Sequence, residues 1–353
     1  MRALPSGGFP DQRGEKVRLG GAFGGKYRVF AGFILCAALL TAAFAAGGIY
    51  SYAQSARGWQ DGETSSPSTE ATLPSTSLGV GDAEEEPPLQ EPTDERNGIK
   101  VITADLSHLS RGENYYLNET AYSPDLEALL ERELSILDLE TGEGKPQVLI
   151  LHTHTTESYL PSGTMLVEGD LGELTYSSDR AENMISIGKV LCQFLNSNGI
   201  SAIHCTVDHT QDGSLRGSYE RSAETVRQYL ALYPSIRLVI DLHRDAVLTE
   251  NGEYIKTASG ADAAQVMPVV GTDSNGTACP NWEGNLALAL QLRRALNASG
   301  DGICRPIYLR SSSYNQELAP YSLLIEIGTG GNTKEEAQRT AAMLGDALCQ
   351  LLK

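Results

Sequence analysis

Apolar and polar positions along the chain fall into blocks whose period changes from segment to segment. In "SPDLEALLERELSIL" (123–137) the apolar residues recur at helical spacing, and Ser123 and Pro124 suit a cap and first turn. "PQVLIL" (146–151) is a short apolar run that predicts a buried strand. "DRAENMISIGKVLCQFLNSNG" (179–199) predicts a helix with Ile185, Val190, Leu191, Phe194 and Leu195 inward and Gly199 as its stop. "ISAIHC" (200–205) predicts a strand, "SYERSAETVRQYLALYP" (218–234) an amphipathic helix ended by Pro234, and "IRLVIDLH" (236–243) a third strand. A helix over 284–300, a strand over 321–328 and a closing helix over 333–352 complete the pattern.

Strands alternating with helices predict an α/β fold: a mixed, largely parallel sheet flanked by helices. In such sheets chemistry sits beyond the carboxyl ends of the strands. His154 lies just past one predicted strand and His243 ends another. The Gly-, Thr- and Ser-rich insertion 155–178 predicts a loop or hairpin at the rim of that place.

The first hundred residues have a different character. Residues 1–28 are basic, and "VFAGFILCAALLTAAFAAGGIY" (29–50) carries no charge. About 20 apolar residues cross a bilayer as a helix, and a core helix would show a polar face. The alanines near 42–46 offer a signal-peptide cleavage site, but the apolar length favours a retained anchor. The basic flank places 1–28 in the cytoplasm and the rest outside. Residues 51–98, rich in Ser, Thr, Pro and Glu, bury too little to offset chain entropy and read as a disordered stalk. The folded domain is then 99–353. A formal net charge of −18 with no basic face excludes a nucleic-acid partner. Of six cysteines, Cys36 lies in the apolar span; the other five are widely spaced, with no CxxC, and read mostly as buried thiols.

Candidate chemistry gathers at His152, His154, Glu182, His243 and Glu326. Two imidazoles and a carboxylate around a zinc ion leave its fourth position open to water. A carboxylate outside that set can then act as general base. Glu326 is flanked by Leu323, Leu324, Ile325 and Ile327, so burial would raise its pKa toward neutrality, as a base requires. His108, His204 and His209 have no motif context and read as structural or surface residues.

"LILHTHTTESYLP", "GSYERSAETV", "IDLHRDA" and "SYNQELAPYSLLIEIGTGGNT" together resemble the stage II sporulation protein P family, over about 146–335. The resemblance extends to zinc-dependent N-acetylmuramoyl-L-alanine amidases of the amidase-3 type. It implies zinc ligands His154, Glu182 and His243, with Glu326 catalytic. It also implies hydrolysis of peptidoglycan at the muramoyl–L-alanine amide, activity on peptide cross-links, work in forespore engulfment, and other engulfment proteins as partners. The amidase-3 enzymes have Asp-Pro-Gly-His where this chain has Leu151-His152-Thr153-His154. His152 therefore stands as alternative ligand or as support for His154. The long gap from His154 to Glu182 leaves Asp179 or Glu157 as substitutes for the carboxylate. Arg244, Arg310 and Tyr314 are candidates to grip peptide carboxylates or glycan. A metallo-β-lactamase would continue His-x-His into Asp and His, whereas Thr155, Thr156 and Glu157 follow here. The rival from another class is a non-catalytic wall-binding protein of amidase shape.

The anchor generates a test. Protease added to intact protoplasts should digest the domain that follows residue 50 and spare a membrane-bound N-terminal fragment. A protected domain, or a soluble cleaved form as sole product, rejects the retained anchor.

Overall fold

The structure is a computed structural model. It describes residues 27–28, 93–96, 99–107, 116–136, 145–161, 173–210, 214–249, 253–259, 262–298 and 302–352. Residues 34–90, the second of two compact units, lie outside the described residues, as does the expected span 29–50. Among the described residues no helix is long and apolar enough to cross a membrane.

In chain order the elements are β1 (Tyr27–Arg28), β2 (Thr93–Arg96), β3 (Ile99–Ala104), β4 (Tyr116–Asn118), α1 (Leu126–Leu130), β5 (Val148–Leu151), α2 (Met184–Ser197) and β6 (Ala202–His204). Then follow α3 (Ser218–Leu232), β7 (Leu238–Asp245), β8 (Leu248–Thr249), β9 (Tyr254–Thr257), β10 (Val266–Gly271), α4 (Trp282–Asn297), β11 (Ile307–Arg310), β12 (Tyr321–Thr329) and α5 (Lys334–Leu352). The main sheet has seven strands in the order β4-β11-β10-β12-β7-β5-β6. Its pairs are parallel except β10 with β12. The expected mixed, largely parallel sheet flanked by helices is what forms.

The two-residue period of each strand sorts its side chains between two layers. Val148 and Ile150 of β5, Leu238 and Ile240 of β7, and Leu323, Ile325 and Ile327 of β12 face the larger core. There they meet Ile187, Leu191 and Leu195 of α2, Leu288 and Leu292 of α4, and Leu344 and Leu348 of α5. Leu149, Leu151 and Val239 face the other way, onto Val226 of α3. Asp241 and His243 continue the register of Val239 along β7, so the polar residues start where the α3 layer runs out.

Several boundaries differ from the sequence reading. Helix α1 is a fragment of the expected 123–137, capped by Asp125 rather than Ser123, with Oδ1 accepting from Ala128 N at 3.1 Å. The chain leaves the helix there, and Ile136 enters the core in non-helical backbone. Helix α2 starts at Met184, because Asn183 is its cap and accepts from Ile185 N at 3.0 Å. Asp179 instead closes the preceding turn onto Ala181 N. Gly199 ends the helix region at φ +81°, as expected. Strand β7 runs two residues past His243. Strand β10 was hidden by Pro268, which reads as a breaker yet stands in the ladder opposite Ile325. The five free thiols Cys192, Cys205, Cys279, Cys304 and Cys349 agree with the buried-thiol reading.

A smaller sheet, β1-β8-β9-β3-β2, adds to the domain. Its strand β2 lies inside the expected stalk, and Arg96 pairs with Ile99. Strand β1 pairs with β8. That pairing and an anchor that keeps residue 28 across a bilayer exclude one another, so the protoplast experiment also decides between them.

The two sheets are tied where β12 ends. Gly328 adopts φ +64°, and a Cβ there would lie 2.6 Å from Asn332 Oδ1. Buried Asn332 accepts at Oδ1 from Thr257 N (3.2 Å) and Thr329 N (3.0 Å), and donates from Nδ2 to Thr257 O (2.8 Å) and Glu336 Oε2 (2.9 Å). The motif "GTGGNT" is thus first a joint between β12, β9 and α5. Asn332→Ala should destabilise the protein by ~2–4 kcal/mol, because it leaves several buried partners unsatisfied. A thermal melt within a degree of the parent would reject that role.

Candidate metal and catalytic centre

Beyond β5 the chain turns at once. Glu157 N donates to His154 O at 3.1 Å, and the turn brings the two side chains to the same side. His154 Nδ1 lies 3.1 Å from Glu157 Oε1, and His243 Nδ1 lies 3.3 Å from Glu157 Oε2. The two imidazole rings stand nearly perpendicular, 4.7 Å apart at their centres. All three residues are buried, and one ligand atom from each falls within 4.8 Å of the others. Zinc bonds of about 2.0–2.1 Å in a tetrahedron place neighbouring ligand atoms roughly 3.3 Å apart. The 3.1 and 3.3 Å separations match that edge. Two imidazoles and one carboxylate are also a donor set zinc prefers, so the residues fit the ion.

Electrostatics agree with a place for a cation. Burial alone would raise the Glu157 carboxyl, but His243 and His154 beside it hold it well below the ordinary carboxylate range. Burial would lower His243, yet the Asp241 and Glu157 carboxylates hold it well above the ordinary imidazole range. Asp241 sits two residues before His243 on the same strand face. Thr153 N donates to its Oδ1 at 2.8 Å and Thr153 Oγ1 to its Oδ2 at 2.6 Å. His243 Nε2 lies 3.1 Å from Asp241 Oδ1, without an aligned hydrogen bond.

Glu182 does not join this group. It precedes α2, is half exposed, and pairs with Lys334 Nζ at 2.6 Å. Glu157, held in the sequence reading only as a substitute, occupies the carboxylate position instead. Asp179, the other substitute, is spent on the turn before α2.

His152 points to the opposite side of the strand end. Its Nδ1–H donates to Leu242 O at 3.1 Å, since a carbonyl can only accept. That leaves Nε2 as acceptor for the Nε2–H of His204 at 2.9 Å. Both ring nitrogens are engaged, and burial, with His204 adding to it, pushes His152 down to about 3. His204, burial-lowered to about 4, is therefore its partner rather than a surface residue. His209 buttresses the same turn, with Nδ1–H donating to His152 O at 2.8 Å. His108 lies outside the described residues.

Glu326 stands opposite His243 in the parallel β7–β12 register. It is partly accessible rather than sealed in, while its Oε2 is buried and has no hydrogen-bond partner. Burial pushes its carboxyl up to about 8, with His243 acting against the rise. Tyr219, at the first turn of α3, packs its ring 5.5 Å from that of His154 and 6.5 Å from that of His243. Tyr314 lies 5.7 Å further along, at φ +53°. Asn315 beside it, also at positive φ, donates to Tyr219 O at 2.8 Å, so the strained turn is fastened to α3.

The two arginines singled out earlier are committed elsewhere. Arg244 is buried, donating from Nε to Ser158 O (3.0 Å) and from Nη2 to Thr175 O (2.7 Å), with its guanidinium over Tyr176. It secures the two described arms of the insertion, which pair at Glu157 with Tyr176; residues 162–172 lie outside the described residues. Arg310 pairs with Glu119, Nε to Oε2 at 3.1 Å, and stacks on Tyr308.

The sequence model described as stage II sporulation protein P matches residues 65–349. Stage II sporulation protein P of Bacillus subtilis (strain 168) is 29% identical over 265 residues, covering 67% of this chain and 63% of that protein. The chain thus spans less than two thirds of that relative's length. Among solved structures, the apo N-acetylmuramyl-L-alanine amidase Ami1 of Mycobacterium abscessus is 15% identical, covering 58% of this chain and 96% of its own, at a TM-score of 0.36. The N-acetylmuramoyl-L-alanine amidase AmiC2 of Nostoc punctiforme is 19% identical, covering 60% and 97%, at 0.34.

Gly188 of α2 leaves room for the two histidines behind the centre. A Cβ there would lie 2.5 Å from His152 Nε2 and 2.5 Å from His204 Nε2. Gly→Ala inside a helix ordinarily gains ~1 kcal/mol, whereas forcing apart a packed core costs ~1–3 kcal/mol. Gly188→Ala should therefore lower the melting temperature. A raised one would mean the rings part freely.

Proposed function

We propose, for a chain that belongs to the stage II sporulation protein P family, that it is a zinc-dependent peptidoglycan hydrolase acting in sporulation. Its reaction is cleavage of the amide between N-acetylmuramic acid and L-alanine of the stem peptide, with peptide cross-links as a second target. The observation that carries the reading is the buried His154–Glu157–His243 group with Glu326 beside it on the next strand.

His154, Glu157 and His243 would hold the ion. When bound, zinc acidifies water and polarises a carbonyl. The remaining work falls to the chain. Asp241, fixed by both donors of Thr153, keeps the His243 ring turned so that Nδ1 faces Glu157. Glu326, whose proton affinity burial raises, takes a proton from the attacking water and returns it to the leaving nitrogen. Tyr219 packs against both imidazoles and, with Tyr314, forms an aromatic wall against which the substrate is laid. The membrane anchor at 29–50, which requires Tyr27 and Arg28 to leave their pairing with β8, the external location of the domain and partnership with other engulfment proteins belong to the same proposal.

One set of variants tests it, read by zinc content, circular dichroism and release of stem peptides from purified walls. His154→Ala, His243→Ala and Glu157→Gln should lose most of the metal and the activity, whereas Glu182→Gln should keep both. Glu326→Gln should keep the zinc and lose ~10²–10⁴-fold in rate. Full metal in Glu157→Gln with loss in Glu182→Gln would return the ligand role to Glu182. Near-normal peptide release by Glu326→Gln would remove the general base. Parent protein that binds walls and releases nothing would make the chain a wall-binding module.

A further inference from the structure

Two buried polar atoms of opposite polarity next to the proposed centre, Nη1 of Arg305 and Oε2 of Glu326, lack partners. Arg305, in the segment between α4 and β11, is 5% exposed. Its Nη2 pairs with Asp245 Oδ2 at 2.8 Å, and its Nη1 is buried with no hydrogen-bond acceptor. Glu326 Oε2 is buried with no donor. The backbone brings them close: Arg305 N donates to Val266 O at 2.7 Å, and Val266 and Met267 stand opposite Ile327 and Glu326 in the β10–β12 ladder. Asp245, the counter-ion of Arg305, is two residues beyond His243 on β7, the strand that carries Glu326's other neighbour. The charges of Asp245 and Arg305 both act on the Glu326 carboxyl, in opposite senses. A buried donor or acceptor left unmade costs ~1–3 kcal/mol, more when charged, so two complementary ones on adjoining segments call for a link.

We propose that Arg305 is the positioning residue of Glu326: Nη1–H is joined to Oε2 through one ordered water, while Asp245 fixes the other arm of the guanidinium. The planar fork suits the task, because two donors in fixed geometry serve two carboxylates at once. Held at Oε2, Glu326 has Oε1 left to handle the proton. This inference rests on Glu326 being the general base.

The test uses the full-length protein with zinc. In infrared spectra the carboxyl signal that Glu326→Gln abolishes reports the hydrogen bonding of this one group. Arg305→Met should move that signal, lower kcat by ~10–100-fold with KM and zinc content unchanged, and leave circular dichroism as in the parent. Arg305→Lys, which keeps the charge and the Asp245 pair, should recover part of kcat, and it carries the test alone should the Met variant not fold. An unmoved Glu326 signal overturns the proposal, as does a loss of activity that only follows the fraction folded. Parent protein without hydrolytic activity, but with a signal that depends on Arg305, leaves the link standing and rejects the amidase reading instead.

Discussion

A carboxylate taken out of water needs donors or a cation, at a cost of several kcal/mol where it finds neither. Glu157 meets that demand with His154 Nδ1 on one oxygen, and with His243 Nδ1 and the Arg244 N–H on the other. These partners come from the turn after β5 and from β7, so one side chain locks the mouth of two adjacent strands. The Glu157 backbone does further work, since its carbonyl accepts from Met184 N at the start of α2. Sheet, turn and helix therefore meet at this residue, and a bound cation would complete the arrangement rather than disturb it.

The centre is kept in place by polar groups around it. Thr153 uses backbone and side chain to fix Asp241, and Asp241 sets the ring of His243. On the other side His152 spans from Leu242 O to His204, and His209 holds the His152 carbonyl. His152 and His209 each have both ring nitrogens occupied, which fixes their tautomers and orientations. The alternation His152-Thr153-His154 thus divides the labour. Residues 152 and 153 fasten the strand end from beneath, and 154 presents its nitrogen to the site.

Much of this was legible from periodicity. The main-sheet strands β5, β6, β7 and β12 and all the long helices follow from two- and 3.6-residue patterns, and the two histidines and Glu326 from their places on those strands. Where the structure differs from the sequence reading, the reasons are local. Glu182 was expected beside the two histidines because α2 was started at Asp179; the Asn183 cap moves the helix and places Glu182 against Lys334. Glu157 was undervalued because its contact with His154 depends on a tight turn, not on a strand or helix period. Its three-residue spacing was the available signal. Asp241 was legible in principle, since "DLH" puts Asp and His on one strand face. Tyr219 and His204 come together with the site only through tertiary packing, which no local pattern encodes.

The two carboxylates of the centre are chemically alike and end in opposite states, and their surroundings explain why. Glu157 is surrounded by donors and partial cations, so the anion is favoured despite complete burial. Glu326 has one buried oxygen without a donor, Asp245 and Glu157 repel its charge, and burial is left to dominate. Pairs of titratable groups pushed apart in this way mark the division between a charge that must stay and a proton that must move. A sheet supplies that division cheaply. Neighbouring strands place His243 and Glu326 side by side, and the turn after β5 adds Glu157 from above. Exchanging the roles would require Glu157 to lose three partners and Glu326 to gain them. Topology, and not which residue happens to be the stronger acid, therefore sets which carboxyl is held low and which is raised.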